Sequence, residues 1–440
     1  MENFEKSDII TDVAFNKSKK HFLPRNEQMR INTILKNNLL RFLSEVQSQP
    51  QRPETMKMFD AMMNDMHGQR VKDLYNYRNN GMHVVAMLDS NIPHELIYGI
   101  NGFIPVGICM GAGEVEEYVE DIAHGLSTPV KSMIGFLKTG MCVFFNLADF
   151  VVGTNLCPDI VKASEIIEKS SSDFNVFNIK YQKHNENVTV DLNDLLIWIN
   201  KVSGNKGLDR ERFSEYCMLY SEIRNQYHKI SELRALPNPP IDGRNSLWTQ
   251  QIFSVQEPVT LLKALKNLYS ELLQHVKDGI GYNPEGKRKR VLLICPRIMP
   301  PFTEIYRLIE LSGGLIVHEL TDMGIYNIKY QVDSLIELVD DEISWPVAAV
   351  KYLVEQIDCN QASSFRCFDK DAIAKAISDY SIEAVICFNF DGCNEMDEKI
   401  SGISNYLVDN KIPKLILRSD YMRIFSNSSD YRQKISDFLS

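Results

Sequence analysis

Three cysteines stand directly after short β-branched or aliphatic runs: Cys157 in Asp149-Phe-Val-Val-Gly-Thr-Asn-Leu-Cys157, Cys295 in Val291-Leu-Leu-Ile-Cys295, and Cys393 in Ala384-Val-Ile-Cys-Phe-Asn-Phe-Asp-Gly-Cys393. Open α/β sheets collect their ligands at the carboxyl ends of the strands, and thiolates are the side chains that soft iron–sulfur centres prefer. Thiols in that position predict an iron–sulfur cluster. Its ligands are far apart in sequence, so only the fold could gather them, unlike a local C-x-x-C clip.

The chain has nine cysteines, an odd number, and its start, Met1-Glu-Asn-Phe-Glu-Lys-Ser, lacks the basic and apolar pattern of a secretory leader. The expectation is a cytoplasmic protein whose cysteines are thiols or metal ligands and not disulfides. With 48 basic against 58 acidic side chains the net charge is −10, which repels a polyanion and argues against a nucleic-acid partner. No apolar run is long enough to cross a membrane, so none is expected as a partner.

Other motifs narrow the chemistry. No G-x-x-x-x-G-K-[ST] segment is present, so ATP hydrolysis by a phosphate loop is not expected. Gly111-Ala-Gly113 is followed by Glu114, Glu116 and Glu117, which would repel a pyrophosphate. His94 and Glu95 lie at the approach to a helix, where Glu95 is a candidate acid or base; a helix-capping carboxylate is the alternative.

Positioning such residues takes more than one core, since a domain usually spans about 100 to 200 residues. Residues 1–80 have helical apolar spacing, with a Met-rich stripe read as packing. From 81 to 190, runs such as His83–Leu88, Phe103–Ile108, Phe150–Val152 and Val176–Ile179 alternate with helix-period segments and predict a first parallel α/β lobe. Residues 191–285 read as a helical connector, broken at Leu236-Pro-Asn-Pro-Pro-Ile-Asp-Gly243. Residues 286–440 repeat the α/β pattern, with strands at 291–294, 315–317, 384–388 and 414–417. The fold class predicted is α/β, with two parallel-sheet, Rossmann- or flavodoxin-like lobes, a helical N-terminal segment and a helical connector. A cleft between the lobes is where the cysteines would meet.

The segments Ile92 to Cys109, Leu126 to Phe136, Asp149 to Cys157, Glu232 to Gly243, and Val385 to Cys393 with Lys411 to Leu417, taken in this order, resemble the family of 2-hydroxyacyl-CoA dehydratases and benzoyl-CoA reductases, which includes the double-cubane cluster proteins. Ile92-Pro-His-Glu-Leu-Ile-Tyr-Gly-Ile-Asn-Gly-Phe-Ile-Pro-Val-Gly-Ile-Cys109 resembles the family's early P-x-E-L-I-x-A-x-G-x-x-P-V signature. Leu126-Ser-Thr-Pro-Val-Lys-Ser-Met-Ile-Gly-Phe136 is similar to its C-x-x-x-K-S-x-x-G-F segment, and Asp149 to Cys157 to its D-x-x-V-x-x-T-T-C-D segment. Glu232 to Gly243 resembles its proline-rich linker, and Val385 to Cys393 with Lys411-Ile-Pro-Lys-Leu-Ile-Leu417 resembles its last cysteine strand and the strand after it.

The resemblance implies cluster ligands at Cys157 and Cys393, the second and third family positions. Cys142, Cys295 and Cys367 fall near places where double-cubane members carry extra cysteines. At the first family position, four residues before Lys131, the chain has Ser127, whose hydroxyl is a harder and more basic donor than a thiolate. Cys387 is the reserve ligand, read as lying on the same strand and face as Cys393. The lysine run that follows the family's second cysteine is reduced to Lys162.

By the same resemblance the protein takes low-potential electrons from an ATP-hydrolysing iron–sulfur activator and acts on an acyl-CoA or other small-molecule substrate. In the dehydratases the electron makes a ketyl radical that releases an unreactive hydroxyl. Three readings stay open: a cluster-bearing dehydratase or reductase subunit with a 4Fe–4S centre, a double-cubane reductase of a small molecule, and a degenerate structural partner without a cluster. A homo- or heterodimer with a related subunit is expected.

Overall fold

The computed structural model describes residues 23–170, 174–184, 187–321, 331–340, 345–355 and 370–440. Helices Arg25–Gln47, Met56–Asp65 and Gln69–Asn79 lead into the first sheet. Its strands are β1 (His83–Met87), β2 (Phe103–Gly107), β3 (Phe150–Thr154) and β4 (Asn175–Ile179), all parallel, in the order β2-β1-β3-β4. A small antiparallel pair follows, β5 (Tyr181–His184) with β6 (Asn187–Val190).

The second sheet holds β7 (Lys289–Ile294), β8 (Gly314–Leu320), β9 (Ala384–Phe390) and β10 (Lys414–Ser419), also parallel, in the order β10-β9-β7-β8. Counted within its own sheet, each has the order second, first, third, fourth. Each therefore reverses direction of growth between its first and third strands, the crevice at which open α/β sheets bind ligands. The central strands are apolar almost throughout: β7 reads Lys-Arg-Val-Leu-Leu-Ile, and every residue of β9 is buried. Parallel strands covered by helices on both faces need that composition, because neither face meets water.

Two long helices, Arg210–Leu233 and Pro258–Lys277, pack together between the sheets in sequence. Both have acidic caps: Asp209 accepts from the Arg212 amide, and Glu257 from the amides of Val259 and Thr260. These bonds satisfy donors that the first helical turn leaves open. Beyond Leu233, the buried Arg234 ties the connector to the second sheet, donating to Glu319 at 2.8 Å and to the Ile316 carbonyl at 2.7 Å. Helix Gly243–Gln250 then lies so close to β8 that a Cβ on Gly243 would come within 2.6 Å of the Ile316 Cβ.

Among the described residues no helix is long and apolar enough to cross a membrane. The strand reading of 315–317 is too short: β8 runs to Leu320 because the buried Glu319 is paired with Arg234. Gly243, read as the end of the proline-rich loop, is instead the first residue of its helix, capped by Asp242.

Candidate functional site

Cys157 and Cys393 occupy equivalent places in the two sheets. Each lies three residues beyond the third strand of its sheet, β3 and β9, and each immediately precedes a helix, Pro158–Ser170 or Asn394–Asp409. Both are partly exposed thiols.

The loops that carry them meet at Ser127. Ser127 is buried and precedes helix Thr128–Lys138; its side chain makes no capping bond, and its amide donates to Asp159 at 2.9 Å. The next amide, of Thr128, donates to the Asp391 carbonyl at 3.0 Å. Gly392 packs against the same backbone and has φ +77°, a conformation that disfavours a side chain. Asn389 fixes the loop further by donating to the Cys393 carbonyl at 2.9 Å and to Asp397 at 2.6 Å. The three segments that carry Ser127, Cys157 and Cys393 thus touch.

The charge around them is acidic. Burial pushes the Cys157 thiol up to about 12, and the carboxylates of Glu395 and Asp159 add to it, against amide donors from Ile160 and Asp159. Lys162 turns instead to Glu165, at 3.4 Å on the surface, and Lys399 lies 3.3 Å from Glu395. The donors these segments carry are two thiols, the type that soft iron–sulfur iron prefers, and one hydroxyl, which is not. Among the described residues, no three of His, Cys, Asp or Glu are drawn together as they stand into a group able to hold a metal ion.

The other expected residues are placed elsewhere. Cys142 is buried, and its sulfur accepts the Cys109 amide at 3.3 Å. Burial opposes its ionisation, but the Cys109 thiol and the amides of Cys109, Phe145 and Phe144 outweigh that and hold it below the usual thiol range. Cys295 directly follows β7, fully buried, in an apolar cluster with Ile298, Phe302 and Phe388. Cys367 is outside the described residues. Cys387 sits inside β9, where burial pushes it up to about 12; Cys393 is not on that strand but past its end. Glu95 is fully buried and forms a two-armed ion pair with Arg224, at 2.7 and 3.0 Å.

A cleft opens beside these loops at the carboxyl ends of both first strands. It is lined by Met87, Asp89 and His94 from the first sheet and by Gln250, Arg297 and Met299. Asp89 links it to the Cys157 loop by accepting the Thr154 amide at 2.9 Å. Burial lowers His94 to about 3, so its ring is neutral; it donates to the Ser254 carbonyl, which leaves Nε2 as an unpaired acceptor. Gln250 gives its amide nitrogen to Glu319 and Ser246, and its carbonyl oxygen has no partner. Arg297 donates to the Leu88 carbonyl at 3.2 Å, and its Nε is unpaired. The cleft therefore offers two acceptors and a guanidinium to a small polar group. Asp89, Arg297, Asp159 and Glu395 are signalled in the sequence only as polar residues near strand ends, and Gln250, at the end of a helix, has no such signal.

The duplicated parallel sheets and the meeting of the Ser127, Cys157 and Cys393 loops define an α/β protein with an interlobe site. The chain belongs to the 2-hydroxyglutaryl-CoA dehydratase, D-component family, which it matches over residues 89–439. It is also similar to an Escherichia coli (strain K12) protein named "Putative dehydratase subunit YjiM", with 21% identity over 357 residues, covering 78% of this chain and 88% of that protein.

Proposed function

We propose that this chain is an iron–sulfur subunit of a 2-hydroxyacyl-CoA dehydratase-like or benzoyl-CoA reductase-like enzyme, acting in the cytoplasm with a related subunit. An ATP-hydrolysing iron–sulfur activator would supply its electrons, since the sequence has no phosphate loop. The observation that carries this reading is the contact of the Cys157 and Cys393 loops at Ser127. The four segments 1–80, 81–190, 191–285 and 286–440 are proposed as its structural units.

Cys157 and Cys393 would hold the cluster, with Ser127 at the third position. A cluster bound there would supply single electrons of low potential. The protein's own part is to bury that place between two sheets and to orient a substrate. His94 Nε2 and the Gln250 carbonyl would accept from a substrate hydroxyl or amide, and Arg297 would donate to a carbonyl or carboxylate. Cys142 and Cys295 are left out of this ligand set, because the one is engaged with Cys109 and the other is packed in an apolar core.

One observation favours a second reading, a partner subunit without a cluster. Asp159 and Glu395 make the surroundings of Cys157 acidic, which favours the neutral thiol over the thiolate a cluster needs. Iron and acid-labile sulfide per chain after anaerobic purification separate the readings. About four irons support a single cubane, about eight a double cubane, and none the subunit without a cluster.

A further inference from the structure

A pair of sulfurs lies apart from the loops just described. Cys109 follows β2, the edge strand of the first sheet, and is partly exposed; Cys142 directly precedes the short helix Val143–Leu147 and is fully buried. The Cys109 amide donates to the Cys142 sulfur at 3.3 Å, and the Cys109 thiol donates to the same sulfur. On the outer side His67 Nε2 stands 3.8 Å from the Cys109 sulfur, its ring against Phe144 at 5.6 Å. His67 itself is exposed, so one sulfur of the pair is reached from solvent and the other is not.

We propose that Cys109 and Cys142 are a dithiol that closes to a disulfide by exchange with a low-molecular-weight disulfide. The partly exposed Cys109 sulfur attacks one sulfur of the small disulfide; the S–S bond of that molecule breaks, one small thiol leaves with the proton of Cys109, and a mixed disulfide remains on Cys109. The Cys142 sulfur then attacks the Cys109 sulfur, and the second small thiol leaves with the proton of Cys142. The two cysteines lose two electrons and two protons in all, and the small disulfide gains both. Access and not ionisation gives the order of events: burial and the bond to Cys142 push the Cys109 thiol up and Cys142 is the more readily ionised sulfur, but only Cys109 can meet the small molecule first.

The consequence reaches the cleft. Ile108 and Met110, on either side of Cys109, line it, so the crosslink would tether that wall to the start of helix Val143–Leu147. The resemblance implies Cys142 as a cluster ligand, and a separation of 33 positions gives no sign that it meets Cys109.

The test uses the full chain and glutathione disulfide, followed by trapping with N-ethylmaleimide and peptide mass spectrometry. Wild type is expected to lose two free thiols and yield a peptide crosslinked between Cys109 and Cys142, reversed by dithiothreitol. Cys142→Ser is expected to keep glutathione on Cys109, and Cys109→Ser to keep Cys142 reduced. A wild-type chain that holds glutathione on Cys109 without closing, that pairs Cys142 with a different cysteine, or that does not react overturns the proposal. The wild-type measurement decides it even if either variant fails to fold.

Discussion

Gly392 lies against Ser127: a Cβ built on the glycine would stand 3.2 Å from the Ser127 Cα and 2.9 Å from the Leu126 carbonyl oxygen. Because Gly392 directly precedes Cys393, this contact sets how near the second sheet's loop comes to the first sheet's. Both neighbours are backbone, which cannot swing aside as a side chain can.

Gly392→Ala is therefore expected to destabilise the fold. A left-handed alanine costs about 1 to 2 kcal/mol, and the crowding adds to that. Urea unfolding should show the loss, and thiol-reactive probes should find Cys393 more accessible than in wild type. Unchanged stability would mean that the two loops are not held together here.

The Glu95–Arg224 pair gives a second expectation. Burial works against the carboxylate, but the Arg224 charge and its hydrogen bonds win and hold Glu95 below its ordinary value. A group depressed in the folded state stabilises above its unfolded value, near 4.5, and the benefit is lost as pH falls through the folded value. Arg224→Met leaves the buried charge alone and should cost about 3 to 5 kcal/mol, and the added Glu95→Met change should recover much of it. A double-mutant cycle by urea denaturation measures the coupling. This pairing gives Glu95 a structural task that its place in the family signature does not reveal.

How far the sequence discloses the fold follows from where the information lies. β7 and β9 are legible because a strand buried on both faces must be apolar, and their runs of Val, Ile, Leu and Phe stand out against polar flanks. The pair β5 and β6 is not, since Tyr181-Gln-Lys-His184 and Asn187-Val-Thr-Val190 carry too few apolar residues for a pattern. Cys157 and Cys393 can be found from strand ends, and Asp159 is two residues from Cys157 in the sequence, but Glu395 becomes a neighbour of that thiol only through folding. The same holds for Arg234 with Glu319, which meet across 85 positions.

His94 carries a pH expectation of its own. Its folded value of about 3 lies below the ordinary 6.5, so unfolding takes up a proton between those values. Stability from this group is fully present above pH 6.5 and is lost as pH falls toward 3, with a slope of about 1.4 kcal/mol per pH unit. His94→Gln removes the titrating group, and its stability should fall less steeply than wild type between pH 6.5 and 4.5. Parallel curves from urea titrations at several pH values would show that the buried imidazole is not neutral as argued.

Ser127→Cys addresses the site most directly. By the resemblance Ser127 takes the place of a family cysteine, and its backbone is already fixed by Asp159 at 2.9 Å and through Thr128 by Asp391 at 3.0 Å. The substitution replaces one atom, so those amide bonds are kept while the hydroxyl becomes a thiol. A third thiol beside Cys157 and Cys393 supplies the soft donor that an iron–sulfur centre prefers and an alcohol lacks. After anaerobic reconstitution, iron and sulfide per chain should rise above wild type, with a stronger absorption in the visible range. Stability in urea without iron should stay within about 1.5 kcal/mol, because the side chain keeps its shape and grows by one larger atom only. Equal iron content and equal spectra in both proteins would show that position 127 takes no part in holding a cluster, and that Ser127 meets the other two loops only to pack the sheets together.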